Sequence, residues 1–152
     1  MPLLDLLPPE RVRTHLVARD KPALIAELAE ILAADDDVRI VQKALESREQ
    51  LGSTGLGHGV AIPHGRCADV SEPRAAFVRL AKPIDFGADD HQPVDLVAGL
   101  IVPEQFTDQH LKLLAELAEL FSNTGLTDAL RAAPDAHALR ETLRQAKAKL
   151  AS

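Results

Sequence analysis

Apolar residues recur at helix and strand spacings along nearly the whole 152-residue chain. Leu3, Leu4, Leu6 and Leu7 precede Pro8-Pro9 and predict a short apolar turn docked on the domain. Residues 13–18 alternate weakly and predict a strand. Asp20 is placed to cap a helix with Pro22 in its first turn. Leu24, Leu28 and Ile31 form one face of that helix, which ends at about Ala34. Asp35, Asp36 and Asp37 open a second helix with Val38, Val41 and Leu45 turned inward, and Gly52 marks its end. Residues 74–80 and 94–102 predict strands. The second is apolar at almost every position, as expected of a strand covered on both faces. Lys82-Pro83 and residues 87–90 bracket a turn between them. Thr107 or Asp108 caps a helix carrying Leu114, Leu117 and Phe121. A shorter helix fills residues 126–133 and stops at Pro134. Asp135 caps a last helix with Leu139, Leu143, Ala146 and Leu150 in register. The interleaving predicts an α/β chain, one domain over residues 1–152, with a mixed β-sheet flanked by helices on both faces.

One stretch does not fit this periodicity. Residues 48–66 read R-E-Q-L-G-S-T-G-L-G-H-G-V-A-I-P-H-G-R and hold five of the eight glycines and two of the six histidines. Glycines in such number let a ligand approach the backbone, and successive N–H groups can form an anion-binding concavity. Val60-Ala61-Ile62 follows as a short β-prone run, and Pro63 holds Ile62 extended. His64 is then presented at a stiff chain corner beside Gly65. No lysine completes a P-loop, and neither Gly55 nor Gly57 starts a G-x-G-x-x-G, because Val60 and Ile62 stand where the third glycine belongs. The residues leave two readings of His64: a nucleophilic imidazole facing a phosphate, or a loop histidine bonded to a backbone carbonyl.

Other side chains point to the same anion. A helix places His110 on the stripe of Leu114, Leu117 and Phe121, in the first turn, where the helix dipole favours a nearby negative charge. Its ring is placed to bond a phosphate, to orient His64, or to sit satisfied at the core edge. Arg48 offers a planar fork with fixed charge, either to phosphate or to helix-end carbonyls. Ser53 and Thr54 can bond phosphate oxygens, an imidazole or their own turn. Gly55 and Gly65 complete the candidate phosphate-binding set. His58, His64 and Cys67 lack the spacing of a zinc site, and no cofactor is expected.

Composition narrows the partners. A net charge of −6 argues against nucleic acid as an obligate partner. A single cysteine excludes an internal disulfide and fits a reducing cytosol. Met1 to Asp5 lacks the basic start of a signal peptide, and no run approaches the ~20 apolar residues of a membrane span. The expected location is cytoplasmic, and the expected state is a monomer or weak homo-oligomer.

G-S-T-G-L-G-H-G-V-A-I-P-H-G-R resembles the active-site signature of IIA domains of the bacterial phosphotransferase system, in the mannitol/fructose/nitrogen-regulatory class (EIIA type 2). The resemblance continues at Pro83-Ile84, Gln92-Pro93-Val94-Asp95-Leu96, Val102-Pro103 and His110-Leu111. It implies the same mixed-sheet fold and makes His64 the residue phosphorylated, on Nε2, by an HPr-like phosphocarrier. His110 is implied to be the second active-site histidine, and Arg48 the stabiliser of phosphohistidine. Leu56, Val60 and Phe106 are expected to form an apolar rim for the carrier. With no IIB-like portion or membrane segment, the chain is similar to the free-standing nitrogen-regulatory members. It is therefore expected to regulate target proteins by its phosphorylation state. The alternative is a sugar-specific IIA component passing phosphate to a IIB domain.

Overall fold

The computed structural model describes residues 3–151. The reading of the N-terminal Met1-Pro2 and the inward register of Leu150 lie outside what it describes. A six-stranded mixed sheet divides two hydrophobic cores. Its strands are β1 (Val12–Leu16), β2 (Gly55–Gly57), β3 (Val60–Ala61), β4 (His64–Cys67), β5 (Arg74–Ile84) and β6 (Val94–Pro103). The order is β1-β5-β6-β3-β2, and β4 also pairs with β6. β1 with β5, and β3 and β4 with β6, are parallel; β5 with β6 and β2 with β3 are antiparallel.

The helices are α1 (Lys21–Ala33), α2 (Val38–Gln50), α3 (Thr107–Phe121), α4 (Thr124–Ala132) and α5 (Ala136–Ala151). α1 and α2 bury Leu24, Leu28, Leu32, Val41 and Leu45 on one face of the sheet. α3, α4 and α5, with the N-terminal turn of Leu3 to Leu6, cover the other through Leu113, Leu117, Leu130, Leu139 and Leu143. β6 lies between the two layers and is buried at nine of its ten positions, which is why it reads as a continuous apolar run. Two arginines of β5 tie the layers to the sheet from opposite faces. Arg74 donates to the Leu32 and Ala33 carbonyls at the end of α1 and pairs with Asp36 at 2.5 Å. Arg79 donates to the Leu130 and Ala133 carbonyls at the end of α4. Each adds a charged donor at a helix end, where the Ala33 and Leu130 carbonyls also accept from the Asp36 and Ala133 N–H groups.

Asp20, Asp37 and Asp135 cap α1, α2 and α5 as the sequence predicts, accepting from Ala23, Arg39 and Ala138 N–H. Asp20→Ala is expected to lower stability by about 1 kcal/mol, read from the midpoint of urea unfolding. Three expectations change. Phe106 holds the cap position of α3 without a side-chain bond, so neither Thr107 nor Asp108 is the cap. β5 continues through Lys82-Pro83 to Ile84, because an irregularity in its pairing with β6 after Arg79 relieves the ladder of the missing proline N–H. Ile31 is only half-buried, and Leu32 takes the inward position on α1.

Candidate active site

Residues 53–67 cross the molecule as a hairpin followed by an interrupted strand. β2 and β3 pair around a tip at His58-Gly59, where both residues have positive φ (56° and 80°). That is the conformation of a tight primed turn, easy for glycine and uncommon for histidine. The tip is clamped. Arg131 bonds both Asp95 oxygens and the His58 carbonyl, and His58 N–H donates to Asp90. After Ala61 the chain leaves the ladder for two residues and rejoins it at His64, which pairs with Leu100 of β6. Pro63 has no N–H to give the ladder, so the gap falls there.

His64 is 7% exposed, and its Nδ1 lies 2.8 Å from the Ile62 carbonyl. A carbonyl only accepts, so Nδ1 carries the proton and Nε2 carries the lone pair. The two sequence readings therefore coincide: the histidine bonded to a carbonyl is the one left with a free nucleophilic nitrogen. Burial holds its pKa below the ordinary histidine value. The Ile62 carbonyl and Glu49 work the other way, and Arg48 lowers it further. The His110 ring meets it edge to face, with centroids 5.2 Å apart. His110 sits in the first turn of α3, 8% exposed, and its Nε2 is buried without a hydrogen-bond partner among the described residues. Burial first, then His64 and Arg66, lowers its pKa to about 4.

Both rings are thus neutral near pH 7. An NMR titration is expected to show His110 uncharged down to about pH 4. Because the folded value lies below the unfolded one, His110 supports the fold fully above about pH 6.5. That support is lost as pH falls toward 4, and His110→Gln is expected to flatten the loss in thermal melts.

The two histidines line an open cleft of about 600 Å³ with Ala44, Ser47, Arg48, Leu51, Gly65, Arg66, Glu104, Thr107, Leu111 and Leu114. Arg48, in the last turn of α2, donates one Nη to the Gly52 carbonyl at 2.9 Å. Its other N–H donors have no partner among the described residues. Gly65 lets β4 lie against α2: a Cβ there would stand 3.0 Å from the backbone C and O of Ala44.

The fold gathers His64, His110, Arg48 and Gly65 but takes the other candidates elsewhere. Ser53 donates to the Phe86 carbonyl and accepts from Gly55 N–H. Gly55 backs onto Ala88, which a Cβ would meet at 2.7 Å. Thr54 is buried, and both its N–H and its hydroxyl donate to Glu49. The N–H groups of Thr54, Gly55, His58 and Ile62 all have partners within the protein, so these four do not serve the expected amide concavity. Val60 is not a rim residue: pairing with Leu96 buries it completely. Phe106 packs on the core edge. Leu51 and Leu111, 84% and 65% exposed, are the apolar residues at the cleft mouth. Arg66 joins the cleft as well; it stands two residues after His64 on a strand, a spacing that puts both on one face.

Residues 5–146 match the family model described as phosphoenolpyruvate-dependent sugar phosphotransferase system, EIIA 2. The chain belongs to the EIIA type-2 family. As an EIIA type-2 chain it is 41% identical over 145 residues to the nitrogen regulatory protein of Bradyrhizobium diazoefficiens, covering 94% of this chain and 95% of that one. Identity to the Pseudomonas aeruginosa nitrogen regulatory protein is 38%, over 90% of this chain and 91% of that one. The crystal structure of the nitrogen regulatory protein IIA-Ntr from Neisseria meningitidis superimposes with a TM-score of 0.88 at 37% identity, covering 92% and 97%. The IIA mannitol structure from Escherichia coli shares the EIIA fold, with a TM-score of 0.75 at 21% identity over 90% and 97%. The phosphotransferase-type role and the mixed sheet between helices are those of the family. No helix among the described residues is long and apolar enough to cross a membrane.

Proposed function

We propose that this EIIA protein accepts a phosphoryl group on His64 from the phosphohistidine of an HPr-like carrier and controls regulatory target proteins through its phosphorylation state. The observation carrying the reading is the fixed tautomer of His64 in a cleft that also holds Arg48, Arg66 and an unpartnered His110 nitrogen. The lone pair of His64 Nε2 attacks phosphorus in line. A new P–N bond forms as the donor's P–N bond breaks, and the donor imidazole leaves with the electron pair. His64 keeps its Nδ1 proton on the Ile62 carbonyl throughout, so no base is needed. The two guanidiniums oppose the charge on the phosphoryl oxygens, and His110 Nε2–H donates to one of them. Catalysis of this kind is positioning and preorganised electrostatics.

Phosphorylation brings about −2 charge to a mouth that otherwise presents Leu51, Leu111, two guanidiniums and the single carboxylate of Glu104. A partner seated there meets a different surface in each state, and the nitrogen-regulatory names of the relatives support that regulatory reading. The test is incubation with phosphoenolpyruvate, Enzyme I and an HPr-like carrier. Acid-labile, base-stable phosphate on His64 is expected. Absence of incorporation would leave an interaction module whose histidine is never phosphorylated.

A further inference from the structure

Behind the cleft, on the far side of the hairpin stem, lies a buried carboxylate that the transfer chemistry does not use. Glu49 follows Arg48 in the last turn of α2, and its side chain is only 6% exposed. Its oxygens face three donors: Lys21 Nζ at 2.8 Å, Thr54 N–H at 3.3 Å, and the Thr54 hydroxyl. Lys21 is itself fixed, donating to the Phe86 carbonyl and standing 4.3 Å from the centre of the Phe86 ring. The path continues toward the site. The Thr54 carbonyl accepts from Ile62 N–H at 3.0 Å, and the Ile62 carbonyl accepts from His64 Nδ1. On the other side, Leu100 N–H holds the Pro63 carbonyl at 3.0 Å.

We propose that Glu49, paired with Lys21, is a positioning residue for His64, acting through Thr54 and Ile62 to keep the ring in its Nδ1–H form. Residues 62 and 63 are where the strand leaves the ladder, so no regular pairing aims the Ile62 carbonyl. Two bonds replace it: Ile62 N–H donates to the Thr54 carbonyl, and Leu100 N–H donates to the Pro63 carbonyl. The Leu100 bond rests on the sheet; the Thr54 bond is only as firm as Thr54, and Glu49 is what anchors Thr54. Only a carboxylate fits there, because three donors need an acceptor with no N–H of its own. A buried carboxylate is kept by its partners: removing any one leaves an uncompensated charge or an orphaned donor. Its negative charge also works against the Arg48 field at His64, in the direction that raises the ring's basicity. One helix turn therefore supplies the phosphate's cation from Arg48 and the ring's alignment from Glu49.

The inference rests on His64 as the phosphoryl acceptor, but its test needs no phosphoryl donor. Glu49→Gln keeps the shape and turns one acceptor into a donor facing donors. Thr54→Val keeps the shape and removes the hydroxyl. Ring nitrogen NMR of His64 in the wild type is expected to show proton on Nδ1 alone. Both variants are expected to show a mixture of tautomers, with Glu49→Gln also lowering the His64 pKa. In the transfer assay the rate is expected to fall roughly tenfold or more, by analogy with the loss when a partner that orients a metal-binding histidine is removed. A structural role alone would lower the melting temperature and leave the tautomer and pKa unchanged. Folded variants with wild-type tautomer ratio and pKa would overturn the proposal. If Glu49→Gln does not fold, Thr54→Val decides by the same readout. A wild-type chain that takes no phosphate sinks the carrier reading, while the tautomer measurement still judges Glu49.

Discussion

His64→Ala is expected to abolish phosphate incorporation altogether while leaving a folded protein. No neighbour can replace the ring. His110 Nε2 carries the proton it gives the phosphoryl group in the proposed transfer, and burial and its neighbours hold its pKa at about 4, which makes it a weak nucleophile. Cys67 is buried, with its thiol pushed above the ordinary range by that burial. The structural loss is small by comparison. It amounts to one hydrogen bond to a backbone carbonyl and part of an edge-to-face ring contact, together about 1–2 kcal/mol. Thermal melting and phosphate uptake should therefore separate cleanly. Label remaining on His64→Ala at wild-type levels would place the acceptor elsewhere. His110→Ala should behave differently, slowing transfer without removing the site, because the role proposed for its nitrogen is a hydrogen bond to the phosphoryl group and not a covalent bond.

Gly65→Val is expected to damage both the fold and the site, by about 2–3 kcal/mol of stability and most of the transfer rate. Valine suits a strand, so propensity predicts no loss. The cost comes from space. The added Cβ would meet the backbone C and O of Ala44 at 3.0 Å, and backbone cannot move aside as a side-chain tip can. Either β4 leaves β6 or α2 is pushed outward. In both cases His64, one residue before, and Arg48, one turn after Ala44, lose their relation. Denaturant unfolding measures the first effect and the phosphotransfer assay the second. Gly65→Ala should fall between wild type and valine. A valine variant as stable and active as wild type would show that β4 and α2 can separate at little cost.

The helices and both long strands were legible because their signals are local. Caps at Asp20, Asp37 and Asp135 act within three residues, and the apolar run of residues 94–102 reports burial on both faces whatever surrounds it. Family resemblance and the motif around His64 likewise needed no coordinates. The hairpin stem was not legible. Ser53, Thr54 and Gly55 look like phosphate ligands in a glycine-rich stretch, yet they meet Phe86 and Ala88 of the loop between β5 and β6, and Glu49 at the end of α2. Nothing in the order of residues says which of two possible partners a hydroxyl will find.

The sequence by itself determined the alternation of elements, the chain corner at Pro63 and the identity of the histidine that follows it. Period, capping and the missing proline N–H all act over a few residues, so they survive in a string of letters. Only the tertiary structure decided that His64 holds its proton on Nδ1, that His110 meets it from α3, and that Arg66 and Glu104 share the cleft while Val60 does not. Those facts depend on how β4 pairs with β6 and how α2 and α3 pack beside it. Such long-range contacts are set by the sum of two cores, and no single stretch of sequence carries them.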